Sequence, residues 1–262
     1  MEKTFLLPNK IIWRRETSKN TSACFYPSFY KDLVKRTPFF QENFDVQFVD
    51  ADEKNMREYF LPLYTEEIMA REDFKLDRNK ITADLIKKVS ENKNYKFMFI
   101  FYEKELVSAT LFSIKDSGLF VGYRAMKKNF DRKLSHKATV SHWNEQMIFD
   151  FGKKNNVSFF SYGKDTHPFL AKTNIGRPLY KIKTGMKPRC PIDKTSFAME
   201  EIREEDLIKK TEPTLFFTNP DKNGLYKCCY LYYPKDFLDD SYIHEFNKIM
   251  SWSGLVFNPI AY

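Results

Sequence analysis

The chain switches between two hydrophobic periods, and each switch marks an element. "FDVQFVDADE" (44–53) alternates apolar and polar residues as a half-buried strand does, and "DADE" supplies a stop and a helix N-cap. Met56, Tyr59, Phe60, Leu63 and Tyr64 then repeat at three and four residues, which predicts a helix. A second helix is predicted over "DRNKITADLIKKVSENK", with Ile81, Leu85, Ile86 and Val89 as its apolar face. Three β-rich runs follow at 95–102, 105–114 and 119–125. The turn formers "EKE" and "KDSG" separate them, so they read as an antiparallel meander. Helical period returns from Ser135, as N-cap, to Gly152, with Val140, Trp143, Met147, Ile148 and Phe151 as the stripe. A strand at 157–163, a short helical stretch near "HPFLAKTN" and the basic segment "GRPLYKIKTGMKP" (176–188) come next. That last segment reads as extended, which puts Lys181 and Lys183 on one strand face.

The two ends are less regular. Pro8, "SKNTSACFYPSFY" and "TPFF" interrupt residues 1–43, which read as an N-terminal extension to a core at 44–189. Within 190–262, "SFAMEEIREEDLIKK" is ambiguous, "NPDKNG" marks a hairpin and "DSYIHEFNKIMSW" a terminal helix; this part is predicted to complete the same sheet. The order predicts a mixed α/β (α+β) fold. Its sheet is mostly antiparallel, with helices on both faces and one crossover that makes a parallel neighbour pair.

Composition narrows the chemistry. Hydrophobic residues make up 42% and aromatics 17% of 262 residues, enough for a sizeable globular core. With 8 Gly and no GxGxxG or GxxxxGK[ST], the common phosphate-cradling loops are absent. The four cysteines lack CxxC spacing, the four histidines lack HExxH, and no metal site is expected. "MEKTFLLPNKIIWRR" is broken by Pro8 and Lys10, too short an apolar stretch for a signal or a membrane span, so a cytoplasmic setting is expected. Net charge is +8, but Arg124 to Arg189 alone holds 15 Lys+Arg against 4 Asp+Glu, leaving the rest slightly acidic. A basic middle suggests a polyanionic partner.

The residues "FMFIFYEKELVSATLFSI…GLFVGYRAM", "IFDFGKKNNVSFFSYGKD" and "LYKIKTGMKP" resemble the GNAT N-acyltransferase fold, and within it the branch of Fem aminoacyltransferases and acetyltransferase-like relatives. In the last motif Ile182 stands for a Phe of that branch, Lys183 for its Lys and Met186 for a second Phe. The resemblance covers about a third of the chain. It implies a V-shaped splay between the strands at 119–125 and 157–163, where an acyl donor lies with its carbonyl near exposed backbone N–H groups. An amine would attack a thioester or ester there. One departure bears on the donor. "KKNFDRKLSHKAT" has no Gly where CoA-binding members carry a Gly-rich pyrophosphate loop. Lys127, Lys128, Arg132 and Lys133 supply charge before Ser135, so a larger donor than free CoA, acyl-carrier protein or aminoacyl-tRNA, becomes attractive because both present phosphate and a broad acidic surface.

Several residues are candidates for the chemistry. His142 and Glu145, at i and i+3, share a helix face and could take a proton from an ammonium; the bland reading is a surface hydrogen bond. Tyr123 and Tyr162 flank the implied splay, where a phenol could protonate a departing thiolate; either could equally be packing. Lys183 would stabilise charge at the reacting carbonyl and Lys181 would hold the donor, or both are solvated lysines. Lys164, Asp165 and His167 gather at a strand end, where ligands collect in open sheets. The expected activity is acyl transfer from acyl-carrier protein or acyl-CoA to an amine on a small molecule or peptide. The alternatives are aminoacyl-tRNA-dependent transfer and a non-catalytic nucleic-acid-binding module. The last would use Phe130 or Trp143 for stacking.

Overall fold

Turn chemistry sets the central meander. Glu103 and Lys104, then Asp116 and Ser117, all have positive φ, and such two-residue turns match the right-handed twist of the strands they join. The computed structural model describes residues 3–17, 21–72, 74–127, 130, 139–170, 172–191 and 197–262. In chain order its elements are β1 (Thr4–Pro8), β2 (Lys10–Glu16), α1 (Pro27–Asn43), β3 (Phe44–Asp50), α2 (53–69), α3 (Arg78–Glu91), β4 (Tyr95–Tyr102) and β5 (Glu105–Lys115). There follow β6 (Gly118–Met126), α4 (Val140–Lys154), β7 (Phe159–Thr166), β8 (Phe169–Leu170), α5 (Lys172–Lys183), β9 (Lys187–Arg189) and β10 (Met199–Arg203). The chain closes with α6 (Glu204–Leu207), β11 (Thr214–Pro220), β12 (Tyr226–Tyr233), α7 (Asp240–Trp252) and β13 (Val256–Ala261). This is the mixed α/β arrangement that the pattern predicts. Two compact units make it up, Tyr30–Ser161 and Met1–Phe29 with Tyr162–Tyr262, and their boundaries fall inside α1 and β7.

In Tyr30–Ser161, β3, β4, β5 and β6 run antiparallel in that order, and β6 pairs in parallel with Phe159–Ser161 of β7. Both faces are covered. Phe97, Phe99, Ala109, Leu111 and Ala125 pack with Met56, Phe60, Leu63, Leu85 and Val89 of α2 and α3. Asp77 caps α3, accepting from the N–H groups of Asn79 and Lys80. Aromatic contacts tie in α4: Trp143 stacks on Phe40 at 5.2 Å and Phe151 on Phe48 at 4.3 Å. Each fully buried aromatic contributes on the order of 2 kcal/mol.

In the other unit β2 lies between β7 and β9, a second sheet runs β13-β12-β11-β8, and β1 pairs with β10. Ile11, Trp13, Ile175, Ile182, Phe217, Leu231 and Phe246 share one buried cluster. Four expectations change here. Residues 1–43 are not a preface, since β1 and β2 are paired strands and α1 is a helix. Residues 190–262 do not complete the meander's sheet; β11, β12 and β13 build their own with β8. The helix expected from Ser135 is described from Val140, with Thr139 as N-cap, and Ser135 lies outside the described residues. The segment read as extended is the helix α5, and only 187–189 is strand. In a helix, positions two apart point about 200° from one another, so Lys181 and Lys183 do not share a face.

The turn after α5 depends on one glycine. Gly185 has φ +81, and a Cβ there would lie 1.7 Å from the Cys24 carbonyl oxygen. Neither the backbone angle nor the contact can relax cheaply. Gly185→Ala is therefore expected to lose about 3 kcal/mol or more in a denaturant-unfolding experiment. A loss within the error of that experiment would show that the close approach is not maintained.

Candidate functional site

Local strand geometry marks one place on the meander. Leu111 faces Tyr123 and Phe112 faces Val121, so Gly122 is an extra residue in β6, a bulge. Among the described residues, β6 pairs with β7 over Gly118–Phe120. The stretch of β6 beyond Phe120 is thus the least regular part of this ladder. Gly122 is exposed, and a Cβ there would meet only the Leu111 carbonyl, at 3.5 Å. A bulged residue drops out of the ladder, which frees backbone polar groups for a ligand.

Beside the bulge a set of polar side chains is buried between strand and helix. Arg124 donates from Nη2 to Glu145 Oε1 at 2.8 Å, and the Glu145 side chain is 1% exposed. Thr110, the cross-strand partner of Arg124, accepts from Asn144 Nδ2 at 2.9 Å, and Ser108 accepts from it at 3.0 Å. Ser108, Thr110, Asn144 and Glu145 are all buried. The carbonyl oxygen of Asn144 has no partner among the described residues. Turning its amide round would only move the deficit to nitrogen. The cluster replaces apolar packing and costs desolvation. Glu145 apart, its members escaped the sequence reading, although Ser108, Thr110 and Arg124 are polar residues inside strongly apolar strands. Sequence alone could not pair them with Asn144 and Glu145.

The other predicted residues of this unit fall out as follows. Tyr123 sits next to the bulge, edge-on to Tyr64 at 5.9 Å between ring centres, with the Lys88 ammonium 5.1 Å from its ring. Burial, with Tyr123 second, pushes the Tyr64 phenol above its ordinary range. His142 occupies the third position of α4, and its Nδ1 accepts from the Thr139 backbone N–H at 3.0 Å. With Nδ1 accepting that bond, neutral His142 carries its proton on Nε2. Glu145 is buried and held in the ion pair with Arg124. Lys127 is bonded to Glu105, which raises its pKa. Lys128, Arg132, Lys133 and Ser135 lie outside the described residues. Phe130 and Trp143 are both buried.

In the other unit the strand-end residues have structural work. Asp165 is buried and accepts from Trp13 Nε1 at 2.7 Å and Lys181 Nζ at 2.7 Å, with Arg177 Nη2 at 2.8 Å. Lys183 pairs with Glu245 at 2.8 Å on a more exposed surface. Tyr162 accepts from Arg15 Nη2 at 3.1 Å, and Lys164 is exposed. His167 is fully buried: its Nδ1–H donates to Pro8 O at 2.8 Å and its Nε2 accepts from the Phe217 N–H at 2.9 Å. Lys181, Asp165 and His167 are thus each engaged in bonds inside this unit.

Comparison with known proteins adds the fold. No protein-family model matches the chain, and no curated protein does. Among solved structures, FemX matches with a TM-score of 0.52 and 11% identity over 68% of this chain. A conserved protein of unknown function from Bacteroides thetaiotaomicron matches at 0.47 and 10% identity, over 77% of this chain and 62% of that one. L-PGS from Bacillus licheniformis matches at 0.43 and 12%, over 61% and 48%. The chain spans about 59% of the length of FemX. It has the GNAT-like fold that FemX has.

Burial pushes the His167 pKa down to about 4, against the opposing bond to Pro8 O. An imidazole that titrates lower when folded binds its proton preferentially in the unfolded chain. The stability it gives is full above the unfolded pKa near 6.5 and drains away as pH falls towards 4. Unfolding followed from pH 7 to 4 should show a loss on the order of 3 kcal/mol from this group. His167→Asn should flatten that part of the profile; an unchanged slope would mean that another group carries it.

Proposed function

We propose that the chain is a GNAT-type acyltransferase that moves an acyl group from a thioester donor to an amine on a small molecule or peptide. The donor is the phosphopantetheine arm of acyl-carrier protein or of acyl-CoA. The observation that carries this reading is the bulge at Gly122, where an open backbone on a rigid strand is available to a carbonyl oxygen. The likeness to FemX supports it at the level of fold.

In this reading a thioester carbonyl lies against the backbone around Gly122, and N–H groups there meet the oxygen as it gains charge. The amine nitrogen forms its bond to the carbonyl carbon, the carbon–sulfur bond breaks, and Tyr123 gives its phenolic proton to the departing thiolate. The new amide sheds the ammonium proton through water, which restores the phenol. Arg124, held by Glu145, positions the strand next to the bulge. His142 is given a capping role at the start of α4 in this reading, on the bond its Nδ1 accepts from Thr139. Lys181 and Lys183 are committed to carboxylates, so neither is assigned to the carbonyl. With Phe130 and Trp143 buried, a nucleic-acid-binding module would lack both of its expected stacking platforms.

The test is intact-mass detection of acyl transfer to a panel of amines, with acyl-CoA, acyl-carrier protein and aminoacyl-tRNA as donors. Tyr123→Phe should slow transfer about a hundredfold at unchanged donor affinity, as loss of a general acid does. Gly122→Val should cut transfer and donor binding together. If no donor transfers, the reading fails; turnover with aminoacyl-tRNA alone would replace the thioester by an ester.

A further inference from the structure

A second feature lies away from the bulge, on the β2–β9 ribbon. Arg14 and Lys187 are direct cross-strand partners, as are Ile12 and Arg189. Residues opposite one another in a ladder share a face, so Arg14, Lys187 and Arg189 all project from one side, with Glu16 two residues beyond Arg14. Like charges placed directly opposite destabilise a strand pair. Glu16 offsets part of this, bonded to Arg14 at 2.8 Å and to Arg189 at 3.1 Å. Among the described residues, one carboxylate against three cations leaves an excess of positive charge on this face. The Nε of Arg189 is buried with no partner among the described residues.

This face is one wall of a cleft of about 330 Å³. Met186 and Leu225 add apolar lining, and Trp252 closes the side at the end of α7. The Trp252 ring meets Tyr26 edge-on at 5.4 Å and is half-buried. Gly185 brings α5 and β9 close to Cys24, which fixes the floor. The volume exceeds what a bare oxyanion fills and falls in the range of small-ligand sites.

We infer that this cleft binds a phosphate-bearing small molecule, with its phosphate on Arg14, Lys187 and Arg189 and its organic part towards Trp252. Guanidinium groups match phosphate oxygens in fork geometry, and an excess of cations on one strand face is relieved by a dianion. Glu16 then acts as the built-in competitor for the two arginines. The inference stands independently of the acyl-transfer reading, since it uses no residue of the bulge.

Tryptophan fluorescence of the full chain can read occupancy, because Trp13 and Trp143 are buried and Trp252 is not. The probes are adenosine monophosphate, carrying phosphate and a ring, and inorganic pyrophosphate, carrying anionic charge alone. A saturable change with either is expected, weakened about tenfold or more by Lys187→Glu and strengthened by Glu16→Gln. Lys187 is exposed, so its variant should fold. Tighter binding of the nucleotide identifies an organic phosphate; equal or tighter binding of pyrophosphate identifies a free anion. Trp252→Phe should abolish the fluorescence response while calorimetry still detects binding. No saturation by either probe, affinity indifferent to Lys187→Glu, or a response that survives Trp252→Phe would each overturn the inference.

Discussion

A carboxylate taken out of water must be met by donors, and in this chain Asp165 meets three. Trp13 from β2, Lys181 and Arg177 from α5 converge on it from parts of the sequence up to 152 residues apart. The Lys181 ammonium also lies 5.2 Å from the Trp13 ring centre, so charge and aromatic face support the same placement. Removing one partner of such a set strands a buried charge, which costs on the order of 3–5 kcal/mol. Strand β2, strand β7 and helix α5 therefore stay in register with each other. The turn at Gly185, strand β9 and the basic cleft all follow from where that helix ends.

The other unit has a polar constraint of a different kind. Asn144 and Glu145, consecutive in α4, grip Ser108, Thr110 and Arg124 on two adjacent strands. Apolar packing alone would tolerate small slides of the helix over the sheet, whereas these bonds are satisfied in one alignment. The bulge at Gly122 lies two residues from Arg124, so the alignment also sets the irregular backbone. In both units buried polar groups position the features to which binding or chemistry is assigned.

Lysines 181 and 183 show how a local pattern can mislead. Their alternation with Tyr180 and Ile182 fits a strand, and Gly176 with Pro178 argues against a helix. Over a wider window Ile175, Leu179 and Ile182 repeat at four and three, and Ile175 and Ile182 are completely buried. Core burial of that stripe outweighs the propensities. His142 shows a related limit: it and Glu145 lie on one helix as their spacing implies, and a cap contact and a buried ion pair, neither legible from spacing, engage the two side chains.

Periodicity and turn chemistry alone determined the meander at 95–126, the helices at 78–91 and 240–252, the β11–β12 hairpin and the mixed α/β class. These signals are local, carried by residues a few positions apart. The resemblance in those same runs agreed with the fold that the comparison with FemX shows. Tertiary structure alone decided that residues 10–16 are a paired strand, that β11 to β13 form a second sheet, and which carboxylate each lysine meets. The reason is distance along the chain. Arg124 finds Glu145 across 21 residues and Trp13 finds Asp165 across 152, and no local period encodes which polar residues will be buried face to face.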